Sequence, residues 1–397
     1  MTELEVASIR NFLAERRDDI AGLLVELAQL ESPSLVPESQ HPIQELLTRR
    51  LEAIGFEAEL LPGEKTGGHL YLSLEESAEE SGSVAEGAPV QLLLGHTDTV
   101  WPIGTVRDMP VEWDEGADII QGPGVFDMKS GIVQMVFALE ALSELGLEPT
   151  VIPTIFLNSD EEIGSPESQG HVERLAKASS RVLVLEPALG PEGFIKTTRR
   201  GVERFDIRVV GRAAHSGLEP GKGASAIQEM AQLIPRLHEL SDQERGISVN
   251  VGTLSGGTAV NVVAAECFAS VDVRVATQAD GQWIKEVILG LEPTTPGTRL
   301  EIELLLDRGP MEATPRNCVL WEAVQGCGRR LGLELAGAES GGASDGNTTS
   351  FYTATIDGLG AVGDGAHALH EHVLVSGLLE RTALLALILM MPPLEDA

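Results

Sequence analysis

The chain has 397 residues, enough for two or three domains of ordinary size, and 43% of them are hydrophobic. Its 61 acidic and 28 basic side chains give a formal net charge of −33, and no stripe of lysine and arginine stands out. This charge disfavours nucleic acid as a partner, because proteins bind phosphate backbones through basic side chains.

The N-terminal residues predict a helix of the mature protein, because Thr2 and Glu5 have the spacing of a capping box and no unbroken apolar region follows. The longest apolar run, ALLALILMM at 383–391, is much shorter than the roughly 20 residues of a membrane-spanning helix. The three cysteines include no CxxC pair, which favours free thiols in a reducing compartment. We therefore expect a cytoplasmic protein with no nucleic-acid or membrane partner.

The first part of the chain alternates between helical and strand patterns. Helical spacing runs to about residue 54, and the predicted strands that follow lie near 56–61 and 70–74 and in VQLLLGH, VIPTIFLNS and RVLVLEP. Apolar strands separated by amphipathic helices predict an α/β fold, with a mixed, largely parallel sheet sandwiched by helices. The acidic stretch EESAEESGSVAEG at 75–87 predicts a solvated loop.

From about Phe194 the pattern changes to strands of alternating polarity, which indicates a second domain. Its order matches the plan of a ferredoxin-like α+β domain: a strand, a helix (224–240), two strands (247–254 and 262–275), a helix (281–290) and a strand (299–305). Helical patterns then resume and end in a helix at about 374–391. We therefore expect a first domain of residues 1–195 and 311–397 and an inserted domain of residues 196–310.

Polar side chains follow three predicted strands of the first domain. His96 and Asp98 end VQLLLGH, the triplet Asp160–Glu162 ends VIPTIFLNS, and Glu186 ends RVLVL. Asp127 lies in the glycine-rich turn GPGVFDMKSG, just before a helix. Because ligands gather at the carboxyl ends of strands in an open α/β sheet, we expect these side chains to share one rim.

The acids of this rim predict a metal site. Lys129 is the one lysine or arginine that flanks the predicted strand ends, and several carboxylates stay ionised at close range only when positive charge lies among them. Mixed imidazole and carboxylate ligands suit Zn²⁺, Co²⁺ or Mn²⁺, and a carboxylate can bridge two ions. Asp98 is spaced to accept a hydrogen bond from the imidazole of His96. In the doublet Glu161–Glu162 one side chain can bind metal while the other acts as a base, and spacing alone does not order them.

The chain contains nine segments in the order and at the separations typical of one family: GHTDTVWPIGT, GPGVFDMKSG, LNSDEEIGSP, VLEPAL, GRAAHSGLEPGKGASAI, GGTAVNVV, DVRV, GGASDGN and GDGAHALHEHV. They resemble the di-zinc metallopeptidases that include carboxypeptidase G, aminoacylase, acetylornithine deacetylase and succinyl-diaminopimelate desuccinylase. The segments GHTDTVWP, SDEEIGSPES and AAHSGLEPGKG are most similar to the glutamate carboxypeptidase branch. The resemblance covers nearly the whole chain, and it implies a zinc-exopeptidase-like domain with an inserted domain for dimerisation.

The resemblance also implies which residues bind metal. Asp127 would bridge two divalent cations, most simply zinc, with cobalt or manganese as alternatives. The other ligands would be His96 and Glu186 at one cation and Glu162 and His367 at the other. Glu161 would activate the water between them.

The choice of His367 follows from a family pattern in which a glutamate stands four residues after the histidine. Among the three histidines of GAHALHEHV, only His367 has such a partner, Glu371. His370 stands where the family usually has an acid or another polar residue, which favours a surface substitution, with a role near the site as the alternative.

Three further residues match family positions that contact the substrate. His215 in AAHSG would reach the active site of the partner subunit in a homodimer and stabilise the oxyanion. Asn261 in GGTAVNVV would contact the substrate, and Arg308 in DRGP would hold a free α-carboxylate. For Arg308 a surface salt bridge is the alternative.

The implied reaction is hydrolysis of the amide bond of a C-terminal amino acid, with glutamate favoured. Glu161 would take a proton from the attacking water and pass it to the leaving amine. The alternative within the family is an N-acyl-amino-acid deacylase or a dipeptidase, because these relatives share the same metal core.

Two alternatives come from other classes of protein. The segment GASDG at 342–346 matches the G-x-S-x-G pattern of serine hydrolases, with Ser344 as the nucleophile, although ESGG precedes it where that pattern requires a strand. A non-catalytic binding protein that kept the fold is the other alternative. Such a descendant is expected to lose the base or a metal ligand, and all six residues are present here.

Overall fold

The computed structural model describes residues 1–74 and 89–394, so the acidic stretch predicted as a solvated loop lies outside the described residues. The chain divides into two compact units. The first unit comprises Met1–Thr197, Ala313–Glu339 and Ser344–Ala397, and the second comprises Thr198–Glu312 and Ser340–Ala343. The sequence pattern did not indicate that residues 340–343 return to the second unit. Within the described ranges, no helix has the length and apolar character needed to cross a membrane.

The first unit begins with helices and continues with alternating strands and helices. Its elements up to the last strand before the second unit are α1 (Glu3–Glu15), α2 (Arg17–Gln29), α3 (Pro37–Glu52), β1 (Phe56–Leu61), β2 (His69–Leu74), β3 (Val90–His96), α4 (Thr105–Asp108), β4 (Glu112–Asp114), β5 (Ile119–Gln121), α5 (Ser130–Glu144), β6 (Ile152–Asn158), α6 (Gln169–Ala178) and β7 (Arg181–Val184). Thr2 and Glu5 form the predicted capping box at the start of α1.

The chain then passes through the second unit and returns. The remaining elements are β8 (Ile195–Arg199), β9 (Gly201–Val210), α7 (Ala226–His238), β10 (Ser248–Gly256), β11 (Glu266–Val275), α8 (Gln278–Leu289), β12 (Arg299–Arg308), α9 (Pro315–Leu331), β13 (Gly337–Ser340), α10 (Asp345–Thr349), β14 (Ala354–Ile356), β15 (Gly363–Asp364), β16 (His372–Leu374) and α11 (Val375–Leu389).

The main sheet of the first unit has the strand order β1-β2-β6-β3-β7-β14. Strand β3 pairs in parallel with β6 and β7, and β14 pairs in parallel with β7, whereas β1 and β2 are antiparallel. Every residue of β3 is buried, and successive leucines pack into opposite cores: Leu93 with residues of α5, and Leu92 with residues of α6. Helices therefore cover both faces, and the predicted mixed, largely parallel α/β fold is confirmed.

Helix α5 approaches the end of β7 through a glycine. A Cβ atom at Gly131 would lie 2.1 Å from the main-chain oxygen of Leu185, so no side chain fits there. This contact brings the start of α5, which follows Asp127, next to the strand end that carries Glu186.

The second unit is an antiparallel sheet of order β10-β11-β9-β12 with α7 and α8 packed on one face. Along β9, Phe205 and Ile207 are buried in this core, while Asp206 alternates with them. The predicted ferredoxin-like order of elements is confirmed. The strand predicted at 262–275 begins only at Glu266, because the preceding residues pair with the segment around His215 instead.

Candidate metal centre

Three adjacent parallel strands of the main sheet end at one rim. Strand β3 ends at His96, and Asn158, the last residue of β6, lies beside it in register. Strand β7 ends shortly before Glu186. The order β6-β3-β7 therefore places His96 between Glu186 and the loop after β6 that carries Glu161 and Glu162.

The five predicted ligands converge around Asp127. His96 Nε2 lies 3.4 Å from Asp127 Oδ1 and 3.3 Å from Glu186 Oε1. His367 Nε2 lies 3.3 Å from the other oxygen, Asp127 Oδ2, and 3.2 Å from Glu162 Oε2. The side chains thus form two groups of three that share Asp127, which is the arrangement that a bridged pair of cations requires.

The donor atoms fit divalent cations. His96 Nε2, Asp127 Oδ1 and Glu162 Oε1 are buried without a hydrogen-bond partner, and such atoms are costly unless a ligand satisfies them. One donor atom from each of His96, Asp127 and Glu162 lies within 4.8 Å of the others, and the same holds for His96, Glu161 and Glu186. Imidazole nitrogen and carboxylate oxygen are the ligands that Zn²⁺ and related ions take.

The electrostatics of the cluster show what a cation would replace. Burial alone would lower the pKa of His96, but nearby carboxylates, first that of Asp127, raise it well above its ordinary value. Hydrogen bonds that His367 donates to the carboxylates of Asp127 and Glu162 raise its pKa to about 10, and burial raises the pKa of Glu162 to about 7. Protons on the imidazoles and divalent cations therefore compete for the same positions.

Asp98 is buried and holds two parts of the site. His96 Nδ1 lies 3.0 Å from the main-chain oxygen of Asp98 and 3.4 Å from Oδ1, so the nearer acceptor is the carbonyl and not the predicted carboxylate. The carboxylate accepts hydrogen bonds from Ser34 Oγ at 2.6 Å and from the main-chain N–H groups of Glu161 and Glu162 at 3.3 and 3.2 Å. Asp98 therefore orients both the imidazole and the glutamate doublet.

The two members of the doublet point to different partners. They lie in the short helical turn Glu161–Ile163. A carboxylate oxygen of Glu162 lies within 4.8 Å of donor atoms of His96 and Asp127, whereas one of Glu161 lies within 4.8 Å of donor atoms of His96 and Glu186. The third acid of the triplet, Asp160, accepts hydrogen bonds from two main-chain N–H groups of the following loop, at 2.7 and 3.0 Å. Asp160 therefore organises the loop and does not join either group.

His367 lies in the turn between β15 and β16. Its φ of 61° is in the left-handed region, which is uncommon for a residue other than glycine. The structure places this histidine, as the family pattern predicted, beside Asp127 and Glu162. His370 is exposed, and its main-chain oxygen lies 2.9 Å from His372 Nδ1.

Lys196 is a cation of the site that the sequence pattern does not indicate. It is buried on β8, and its Nζ lies 3.7 Å from Glu186 Oε2. The prediction that Lys129 alone accompanies the acids is therefore incomplete. Lys129 is itself buried and donates to the main-chain oxygen of Leu30 at 2.7 Å.

The three predicted substrate contacts belong to the second unit. His215 and Asn261 are exposed on neighbouring segments, since the N–H of Ser216 donates to the main-chain oxygen of Asn261 at 3.0 Å. His215 Nδ1 accepts hydrogen bonds from the main-chain N–H groups of Gly217 and Leu218, both at 3.1 Å. Arg308, the last residue of β12, is buried.

Ser344 caps the short helix α10. Its hydroxyl donates to Asp357 Oδ2 at 2.6 Å and accepts from the N–H of Gly346 at 3.0 Å. This capping role argues against Ser344 as a nucleophile.

Comparison with known proteins identifies relatives of this chain. The family model described as a peptidase dimerisation domain matches residues 197–291. Carboxypeptidase G2 of Pseudomonas sp. (strain RS-16) is 29% identical over 189 residues, which span 48% of this chain and 45% of that protein. The alignment thus covers about half the length of that relative. Succinyl-diaminopimelate desuccinylase of Ectopseudomonas mendocina (strain ymp) is 28% identical over 374 residues, 88% of this chain and 92% of that protein.

The fold is also found in solved structures. A tripeptidase from Staphylococcus aureus superposes with a TM-score of 0.75 at 21% identity, over 94% of this chain and 98% of that chain. The resemblance expected from the nine segments is confirmed: the chain is similar to M20 metallopeptidases, and its relatives include carboxypeptidase G2 and succinyl-diaminopimelate desuccinylase.

Proposed function

We propose that the chain is a metal-dependent amidohydrolase of the carboxypeptidase type, which removes a C-terminal amino acid, with glutamate favoured, from a peptide or an N-acyl amino acid. The observation that carries the proposal is the convergence of five ligands into two groups that share Asp127. Two divalent cations, most simply zinc with cobalt or manganese as alternatives, would be held by His96, Asp127, Glu162, Glu186 and His367. Bound there, such ions lower the pKa of a water molecule and polarise the substrate carbonyl.

Glu161 is the proposed general base. Its carboxylate lies in one group with His96 and Glu186, and its main-chain N–H donates to Asp98 Oδ1, which supports its position. In the reaction Glu161 takes a proton from the attacking water. It then delivers that proton to the leaving amine nitrogen as the amide C–N bond breaks.

His215 is proposed to stabilise the oxyanion. Because Nδ1 accepts hydrogen bonds from two main-chain N–H groups, the neutral ring carries its proton on Nε2. An Nε2–H group is the kind of donor that a developing oxyanion needs. By family resemblance this histidine serves the partner subunit of a homodimer, and the match to a peptidase dimerisation domain supports such an assembly.

The remaining groups of the second unit are proposed to recognise the substrate. Asn261 would contact it, and Arg308 would bind its free α-carboxylate through two parallel hydrogen bonds, which would restrict cleavage to a C-terminal residue. The segment 196–310 would then act as the dimerisation and lid domain, and 1–195 with 311–397 as the catalytic domain. The three free cysteines support a cytoplasmic location, where thiols stay reduced.

A second candidate function is an N-acyl-amino-acid deacylase or dipeptidase with the same metal core. The alignment over 92% of a succinyl-diaminopimelate desuccinylase favours it. A panel of N-acyl amino acids and dipeptides that varies the acyl group and the C-terminal residue separately would distinguish the two candidates.

The proposal is tested by Glu161→Gln, which keeps the size of the side chain and removes the base. We expect the variant to fold, to retain two cations by metal analysis, and to lose at least about 10²-fold in kcat. The matched control is Glu148→Gln, which changes an exposed carboxylate after α5 and should leave kcat unchanged. A Glu161→Gln protein with parental kcat would remove Glu161 from the mechanism, and a parent protein that stays active in excess chelator would exclude the metal.

A further inference from the structure

Glu371 is completely buried, and it is not one of the proposed metal ligands. Each of its carboxylate oxygens accepts two hydrogen bonds. Oε1 accepts from the main-chain N–H groups of Phe126 and Asp127 at 3.0 and 3.1 Å, and Oε2 accepts from the N–H of Gly124 at 3.0 Å and from Trp101 Nε1 at 2.8 Å. Charge-assisted hydrogen bonds are roughly twice as strong as neutral ones, so this carboxylate holds the turn before α5 firmly.

The turn before α5 has a backbone conformation that lets its N–H groups reach the carboxylate of Glu371. Gly124 has a φ of 73°, and a Cβ atom there would lie 2.7 Å from Thr99 Cγ2. Glycine adopts this left-handed conformation without strain, and it allows three N–H groups of the turn to meet one carboxylate. The last of these N–H groups belongs to Asp127, whose side chain lies between the two imidazoles.

Glu371 also belongs to the turn that presents His367. Its N–H donates to the main-chain oxygen of Ala368 at 3.0 Å, and its own main-chain oxygen accepts from the N–H of Gly122 at 3.1 Å. Strand β16 follows at once and pairs with β5. A single residue therefore connects the turn of the bridging ligand to the turn of His367.

We propose that Glu371 is a positioning residue that sets the placement of Asp127 relative to His367. It thereby controls the affinity of the second cation position, which we define as Asp127, Glu162 and His367. The inference rests on the proposed function. The first cation position, His96, Asp127 and Glu186, depends less on Glu371, because His96 is the last residue of β3 and Glu186 lies just after β7 in the main sheet.

The substitution Glu371→Gln separates these two positions. A carboxamide has one acceptor oxygen, so two of the four N–H donors would face an NH₂ group and lose their acceptor. Loss of an outer partner of a metal ligand costs about 10- to 100-fold in metal affinity. We therefore expect the second cation to bind about 10- to 100-fold more weakly, while the first binds nearly as in the parent.

The measurement is calorimetric titration of the metal-free protein with Co²⁺, for the parent, Glu371→Gln, Trp101→Phe and the control Glu380→Gln, which changes an exposed carboxylate on α11. A residue with a merely structural role would lower the unfolding temperature without weakening one position selectively. Trp101→Phe keeps the carboxylate and removes one donor, so it should weaken the second position less than Glu371→Gln does. If Glu371→Gln does not fold, the Co²⁺ affinities of Trp101→Phe are compared with those of the parent instead.

Selective weakening of one of two positions in Glu371→Gln, or in Trp101→Phe where the glutamine variant does not fold, supports the inference. Parental affinity at both positions, or equal loss at both, overturns it while leaving the proposed function intact. A parent protein that binds fewer than two cations overturns the proposed function, and the inference with it.

Discussion

Asp98 and Glu371 are buried carboxylates that contact the candidate metal centre through main-chain N–H groups. Asp98 accepts hydrogen bonds from the main-chain N–H groups of Glu161 and Glu162. Glu371 accepts hydrogen bonds from the N–H groups of the turn that ends in Asp127. Each carboxylate satisfies buried donors that would otherwise be costly, and each thereby holds a loop that carries a functional side chain. Loops are intrinsically mobile, so such contacts are a direct way to place ligands accurately.

Glu203 is a buried acid of the second unit, and its ionised form lowers the stability of the folded protein. Lys285 Nζ lies 3.9 Å from its Oε1 but also contacts Asp307 at 2.8 and 2.9 Å. Burial raises the pKa of Glu203 from 4.5 to about 7. The pKa of Glu203 is higher in the folded protein than in the unfolded one, so the contribution of this group to the free energy of unfolding is fully present below about pH 4.5. That contribution is lost as the pH rises through about 7, where the buried carboxyl group ionises.

Glu203→Gln should therefore stabilise the protein at pH 8 and not at pH 5, since glutamine is uncharged at both. We expect a gain on the order of 2 kcal/mol at pH 8, measured by urea unfolding of the metal-free protein. Glu244→Gln, at an exposed carboxylate of the same unit, is the control and should show no such difference. An equal gain for Glu203→Gln at both pH values would contradict the assignment.

Part of the site could be predicted from the sequence, because side chains at the ends of parallel strands share one rim of the sheet. His96 and Glu186 end parallel strands, so the pattern of strands is enough to place them on one rim. Lys196 and the donors to Glu371 could not be predicted, because their positions depend on contacts between distant segments and on the direction of individual N–H groups. His367 followed only from the family pattern, since nothing local indicates its left-handed turn.

The contact between α5 and the end of β7 places two of the proposed ligands, Asp127 and Glu186, near each other. Helix α5 starts shortly after Asp127, and Leu185, which contacts Gly131, immediately precedes Glu186. The distance between helix and strand therefore affects the distance between the bridging ligand and Glu186.

Gly131→Ala should disturb both stability and metal binding. The new Cβ would lie 2.1 Å from the oxygen of Leu185, so the helix must move away, at a cost of about 1–3 kcal/mol. Urea unfolding of the metal-free protein and Co²⁺ titration measure the two effects. The control is Gly170→Ala on α6, where an added Cβ would meet no atom within 4 Å beyond its own stretch of helix, so stability should stay the same or rise. A Gly131→Ala protein that matches the parent in both measurements would show that the helix can accommodate the methyl group.

Long elements could be predicted and short ones could not. The apolar run of β3 and the helix predicted at about 374–391, observed as α11 at Val375–Leu389, carry enough residues for their pattern to be read. The small sheet of order β15-β16-β5-β4 has strands of two or three residues, which show no period. That sheet holds the turns around Glu371. The hydrogen bonds of Glu371 therefore lie in a region where the sequence shows no pattern of strands.

At the scale of the whole molecule, the first unit is built from both ends of the chain. The residues of the proposed first cation position all precede the second unit in sequence, whereas the proposed second position also needs His367, which follows it. A formal charge of −33 further favours divalent cations near this protein. Segments that are distant in sequence are therefore proposed to meet and to hold two ions.

Anomalous diffraction at the zinc absorption edge, from crystals of the protein saturated with Zn²⁺, tests this claim most directly. We expect two peaks about 3.5–4 Å apart, one beside His96 and Glu186, the other beside Glu162 and His367, with Asp127 between them. A single peak, peaks located elsewhere, or no peak at saturating zinc would show that these residues do not hold two cations.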